Sequence, residues 1–185
     1  KKGHQVEVFT SDVDCPKDKQ LKSKKNLKIH YLNTKSFAHI PFILPLYRQL
    51  KMISRDSIMH VHIAQAYIPE IAYLVYKSKN IPYIAHIRAD SPPSGRFGFL
   101  LPLYKRIFLS VVLKNAYKII ALNKDYKNLF ISKYNLDEKK FIIIPNSTDF
   151  NIIKEKDLKV KEKIKKILFI GRLTNEKNVD SIIKS

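Results

Sequence analysis

Short apolar runs recur along a Lys-rich chain and break at polar residues, prolines or glycines. Val6, Val8 and Phe9 predict a first strand, entered from Gly3, which suits the C-cap of a preceding helix. Residues 11–25 are polar and charged and predict a loop, and Ile29, Tyr31 and Leu32 predict a second strand. Residues 37–47 are apolar with two prolines and lead into a basic helix over 46–53. A strand over 58–63 is followed by a helix over 69–79 with Pro69 in its first turn. A strand over 83–87, a Pro/Gly loop over 91–98 and an apolar helix over 100–113 carrying Lys105 and Arg106 come next. Then 118–122 predicts a strand, Asn123 caps a helix running to Tyr134, and 141–144 predicts a strand that stops at Pro145.

Strands alternate with helices throughout. That is the α/β signature of a parallel, Rossmann-like sheet with helices on both faces. Residues 151–166 are rich in Lys and Glu and poor in large apolar side chains, so they read as a linker. Ile167 to Ile170 then form an apolar run that ends at Gly171, the pattern of a strand buried on both faces. The expected domains are therefore 1–150, a linker over 151–166, and the first strand of a second Rossmann-like domain within 167–185.

Composition sharpens this picture. An apolar fraction of 45% belongs to a globular chain, not a disordered one. Cys15 is the sole cysteine, so there is no disulfide framework and a reducing, cytoplasmic compartment is expected. The 35 Lys and Arg against 16 Asp and Glu give a net charge of +19, which attracts an anion: nucleic acid, acidic lipid or a phosphorylated substrate. Lys is abundant everywhere, loops included, so part of that charge reflects general composition. The sequence opens in mid-pattern at Lys1, closes inside a helical pattern at Ser185, and reads as truncated at both ends. No signal peptide is visible, and no apolar run is long enough to span a bilayer.

Several constellations can carry chemistry. In Gly171-Arg172-Leu173, followed by Lys177, an Arg fork and a Lys point charge stand past a strand's carboxyl end, where open α/β sheets bind ligands. That pair suits a diphosphate; a β-turn with two solvated cations is the alternative. Asp12-Val13-Asp14 spells a D-x-D pair but sits in a polar loop with no third ligand in view, so it is set aside. His60 and His62 face one side of a strand, yet a zinc site needs a third ligand from elsewhere, and no metal is expected. His86 closes a strand and is followed by Arg88, Asp90 and a Pro/Gly loop. It suits a hydrogen bond to a sugar hydroxyl or phosphate, and equally a bond to a neighbouring loop. Asn146, after Pro145, suits a left-handed turn at the end of the last strand. Pro45 to Arg48 and Pro102 to Lys105 each join an apolar, aromatic stretch to cations. Most of those apolar residues are expected in the core, with the tips on an anionic membrane surface.

Taken in order, these pieces resemble the retaining, GT-B-fold glycosyltransferases of family four. The matching stretches run from Gly3 to Ser11, Asp56 to His62, Ile81 to His86, Ala116 to Asn123, Lys140 to Asn146 and Ile167 to Lys177. The resemblance implies two Rossmann-like domains facing a cleft, with the acceptor on the first and a nucleotide-diphosphate sugar on the second. Arg172 and Lys177 match the family's donor-diphosphate pair, and His86 matches its cleft histidine beside the transferred sugar. Asp90, Asn123 and Asn146 are further cleft-lining candidates. The resemblance also implies transfer of a hexose with retention and without a metal or other cofactor, to a glycan or lipid-linked acceptor. The enzyme is then expected in the cytoplasm, peripheral on the inner face of the membrane. The chain departs from the family at Ser147, where a Gly usually follows Pro-Asn. The family's first strand is expected before Lys1 and its glutamate motif after Ser185, so this piece alone is not expected to turn over.

Two other classes stay in view. A non-catalytic, basic peripheral membrane or assembly protein on the same fold is one. A nucleic-acid-binding protein is the other. It is disfavoured because no RNP-like aromatic sheet, zinc-finger spacing or helix-turn-helix is present.

Overall fold

The computed structural model describes residues 3–13, 15, 18, 20–37, 40–64, 66–88, 98–147, 168–171 and 178–184. The chain divides into two compact units, Lys1–Asn146 and Ser147–Ser185.

The first unit begins with β1 (Val6–Ser11) and β2 (Leu27–Leu32), a parallel pair in which Val6 faces Leu27 and Ser11 faces Leu32. β3 (Thr34–Phe37) and β4 (Ile40–Ile43) follow as an antiparallel hairpin, which the sequence pattern did not suggest. Pro41 lies inside β4, and a proline cannot donate to a ladder, so the run looked unlike a strand; a two-stranded edge hairpin tolerates it. α1 (Leu46–Leu50) leads to β5 (Met59–Ile63), α2 (Ile68–Lys79) and β6 (Tyr83–Ile87). A continuous helical run comes next: a 3-10 turn Gly98–Leu100, α3 (Leu101–Tyr104), a π-helical turn Lys105–Leu109 and α4 (Ser110–Asn115). β7 (Lys118–Ala121), α5 (Lys124–Tyr134) and β8 (Phe141–Ile143) complete the unit.

β5, β6, β7 and β8 pair in that order, all parallel, and are flanked by helices in a Rossmann-like arrangement. Alternate residues explain why. Met59, Val61 and Ile63 of β5, Tyr83, Ala85 and Ile87 of β6, and Ile119 of β7 point into one core with Val75, Val112 and Phe130. The Tyr83 hydroxyl, carried into that core, donates to the Val112 carbonyl at 2.5 Å, which ties β6 to α4. A smaller core joins Leu32, Ile43 and Leu46, with Phe9, Tyr67 and Ile71 packed against it. Ile68 of α2 touches both cores, so α2 joins the four-stranded sheet to the β1–β4 region.

The apolar helical run is less buried than its composition suggests. Leu109, Val112 and Leu113 are buried, whereas Phe99, Leu103, Ile107 and Phe108 are exposed. A helix lying along one side of a core can bury only one stripe. Among the described residues no helix is long and apolar enough to cross a membrane.

In the second unit the described residues hold one helix, α6 (Val179–Lys184). Leu168 to Ile170 form no strand, and Leu168 and Ile170 are exposed. A strand needs a neighbour for its backbone groups, and among the described residues of 147–185 no strand lies beside this run.

Candidate active site

β5 and β6 carry three histidines, His62 and His86 near the carboxyl ends of their strands and His60 two residues before His62. In the parallel register His60 faces Ile84 and His62 faces His86, and Ile120 of β7 lies on the other side of His86. Residues two apart on a strand share a face, so His60 and His62 both project from the side opposite Met59, Val61 and Ile63. Direct pairing across the ladder puts His86 on that same face. The rings stack: the His60 and His62 centroids are 4.9 Å apart with the planes 9° from parallel, and His86 lies 5.2 Å from His60 and 5.0 Å from His62.

His60 Nε2 and His86 Nδ1 are 3.1 Å apart, close enough for one imidazole to donate to the other. His86 is only 8% exposed, the one buried polar or charged side chain among the described residues. Burial, followed by the charges of His62, His60 and Arg88, takes its pKa down to about 4. Desolvation also lowers His60, and desolvation with His60 and Arg88 lowers His62. The cluster is therefore uncharged near pH 7. Each ring then has one N–H and one lone pair, and the His60–His86 contact engages only one side of His86. Its Nε2 is buried without a hydrogen-bond partner. Leaving a buried donor or acceptor unpaired costs about 1–3 kcal/mol, so a ligand group that supplies the partner is stabilised there.

The surrounding elements hold this edge in place. Arg88 donates its backbone N–H to Ile63 O at 3.3 Å, which extends the β5–β6 ladder past His86. Beyond β5, Tyr67 adopts φ 84° and ψ −56°, a sparsely populated conformation for a non-glycine residue. Glu70 holds it: one carboxylate oxygen accepts from Tyr67 N at 2.6 Å and the other from the Tyr104 hydroxyl at 2.5 Å. Tyr67 in turn donates its hydroxyl to Ile43 O at 3.0 Å. One carboxylate thus joins the start of α2, the loop after β5 and α3.

The other sequence candidates fall in varied places. Asn123, at the carboxyl end of β7, caps α5 by accepting from Tyr126 N at 2.8 Å. Asn146 is exposed beyond β8, and its φ is not left-handed; among the described residues the left-handed asparagines are Asn80, Asn135 and Asn178, the first two being helix C-caps. Asp12 accepts from Thr34 N at 3.0 Å and so organises the turn into β3, while Asp14 lies outside the described residues. Asp90, Arg172 and Lys177 also lie outside them. Next to Arg172, a Cβ on Gly171 would come within 2.8 Å of the Phe169 ring, so that glycine makes room for an aromatic side chain.

Sequence reasoning found the H-x-H pair and found His86, but not that they form one cluster. The spacing of His60 and His62 was legible. The register that sets His62 beside His86 was not, because it depends on how far β5 and β6 slide past each other. The link from Glu70 to Tyr67 and Tyr104 left no sequence signal beyond a glutamate in a first helical turn.

No curated protein matches the chain. Residues 1–151, most of its length, match the profile of Glycosyltransferase Family 4, and the chain belongs to that family.

Proposed function

We propose that this chain belongs to an enzyme that moves a hexose from a nucleotide-diphosphate sugar to a glycan or lipid-linked acceptor. In this reading the anomeric configuration is retained and no metal takes part. Family membership supports sugar transfer. The observation that carries the site is the buried, unpartnered Nε2 of His86 at the carboxyl end of β6. A donor-sugar hydroxyl meets the requirement of that nitrogen whichever tautomer it holds, because a hydroxyl both donates and accepts.

The acceptor hydroxyl attacks the anomeric carbon from the face that the diphosphate leaves. The new carbon–oxygen bond forms as the bond to the phosphate oxygen breaks, and the acceptor's proton passes to the departing phosphate. Arg172 and Lys177 neutralise the charge that grows on the diphosphate. His86 orients the sugar, with Asp90, Asn123 and Asn146 near the reacting groups. Residues 1–150 serve the acceptor, 151–166 act as a linker, and 167–185 open the nucleotide-sugar domain. The exposed Phe99, Leu103, Ile107 and Phe108, beside Lys105 and Arg106, suit contact with an anionic membrane on the cytoplasmic side.

The test uses the enzyme expressed from its complete reading frame, with UDP-, GDP- and ADP-sugars, EDTA and membrane extract as the source of acceptors. Release of nucleoside diphosphate from one donor, lost in Arg172→Ala and strongly reduced in His86→Ala, is the expected result. No release from any donor overturns the reading. Normal turnover in His86→Ala removes that residue from the mechanism.

A further inference from the structure

The sequence supplied two histidines of a metal site and lacked the third. The fold supplies it. One donor nitrogen from each of His60, His62 and His86 can be chosen so that all three lie within 4.8 Å of one another. We propose that these residues form a three-imidazole site for a divalent transition-metal ion of the zinc class. We also propose that an ion bound there engages His86 and so inhibits sugar transfer; this second half rests on the function proposed above.

The geometry favours an ion of that size and donor preference. A tetrahedral zinc with Zn–N bonds of about 2.0–2.1 Å has donor nitrogens about 3.3–3.4 Å apart. The 3.1 Å between His60 Nε2 and His86 Nδ1 is close to such an edge. The remaining donor atoms start within 4.8 Å, and His62, exposed on the same face, is a ring with room to turn toward the other two. The ladder fixes the backbone of all three, so little order remains to be imposed on binding. Three imidazoles with the fourth position open form a known donor set for zinc, and imidazole also suits copper and nickel. Calcium and magnesium prefer oxygen and are excluded by the donor type.

Arg88 opposes a dication at this end of the sheet. The attraction therefore comes from lone pairs rather than net charge, and binding is reversible by chelators rather than structural. The inhibition follows from the shared ring. With an ion on His86 Nδ1 the ring is held in one orientation and Nε2 in its N–H form. That nitrogen can then donate to a donor-sugar hydroxyl but no longer accept from one, and a dication stands beside the group that orients the sugar.

The test begins with binding, independent of any catalysis. The 185-residue chain is titrated with Co²⁺, a spectroscopic stand-in for zinc, and the visible absorption of the bound ion is recorded. One equivalent is expected to bind and to be displaced by Zn²⁺. His60→Gln and His62→Gln, both at exposed positions, each weaken it by about tenfold or more, since even outer-shell changes cost a metal site 10–100-fold. His4→Gln, outside the cluster, leaves it unchanged, and circular dichroism confirms that each variant is folded. Absence of a saturating cobalt signal overturns the site, as does a signal that survives in the His60→Gln/His62→Gln double variant. The second arm adds Zn²⁺ to the transferase assay. Loss of turnover that EDTA restores, and that His62→Gln resists, is expected. Turnover unchanged at saturating zinc overturns the inhibitory half and leaves the site standing. Cobalt binding without transfer under any condition overturns the transferase reading instead.

Discussion

β1 and β5 make an instructive pair. Both are short strands in parallel ladders, and both alternate apolar with polar residues over part of their length. Yet Val6 and Val8 of β1 are 47% and 38% exposed, while Val61 of β5 is 7% exposed. The difference lies in what covers them. β5 rests its apolar face on the core that α2 and α4 complete, whereas the covered side of β1 is the one that carries Phe9. The histidines follow the same division. On β2, His30 stacks on Phe9 and meets Glu7 at 2.9 Å, in the open. On β6, His86 is buried against other histidines and meets no acidic partner among the described residues. A polar residue at the edge of a well-packed sheet is thus held in a state that the solvent-facing strand pair does not impose. That is the condition a binding site requires.

Acid offers the largest way to sharpen this contrast. The folded protein resists protonating His86, with its pKa near 4, while the unfolded chain takes up that proton around pH 6.5. Stability from this residue is complete above pH 6.5 and is lost as pH falls toward 4, by up to about 3 kcal/mol. Urea midpoints followed from neutral pH to mildly acid pH are expected to fall less steeply in His86→Asn than in the parent. Parallel curves for the two proteins would place the acid sensitivity elsewhere.

The same substitution made in each sheet should separate the two regions next. Val61→Ala removes two buried methyl groups and leaves a cavity, at a cost of about 2–3 kcal/mol. Val8→Ala removes groups already in contact with water and stays within about 0.5 kcal/mol. Chemical denaturation of both variants measures the gap, and equal losses would break the comparison. Glu70→Gln comes next, at about 1.5 kcal/mol. The amide oxygen can keep one of its two short bonds, to Tyr67 N or to the Tyr104 hydroxyl, but not both with a full charge. Hydrogen exchange should show the loop after β5 opening more often in that variant.

How much of this was legible follows the same logic. β6, β7 and β8 announced themselves as largely apolar runs between polar breaks and β5 as an alternation of apolar residues with histidines, because a strand's own side chains decide whether it can be buried. The parallel sheet followed from the helices between them. What β1 and β5 share in pattern hid what they do not share in cover, since cover is supplied by distant residues. The β3–β4 hairpin was hidden by Pro41. The run at 167–170 has the composition of a strand but no ladder partner among the described residues. Of the site, His86 could be picked out by its place at a strand's end. That His60 and His62 join it depends on register, which no local pattern records.

Asn123→Ala has the smallest expected effect and speaks to the carboxyl edge of the sheet alone. The Asn123 side chain accepts from Tyr126 N, one of the four N–H groups at the start of α5 that no helical carbonyl can satisfy. Its loss should cost about 1 kcal/mol, and replacement by Asp should restore most of it, because a carboxylate caps as well and also favours the helix N-terminus. If Asn123 served only as a cap, Asn123→Asp would match the parent in both stability and sugar transfer. If the same amide also meets the substrate, Asn123→Asp keeps stability but loses turnover, because a carboxylate cannot donate a hydrogen bond and repels a diphosphate. Stability and nucleoside diphosphate release, measured on the same two variants, thus separate a capping residue from one that also faces the donor.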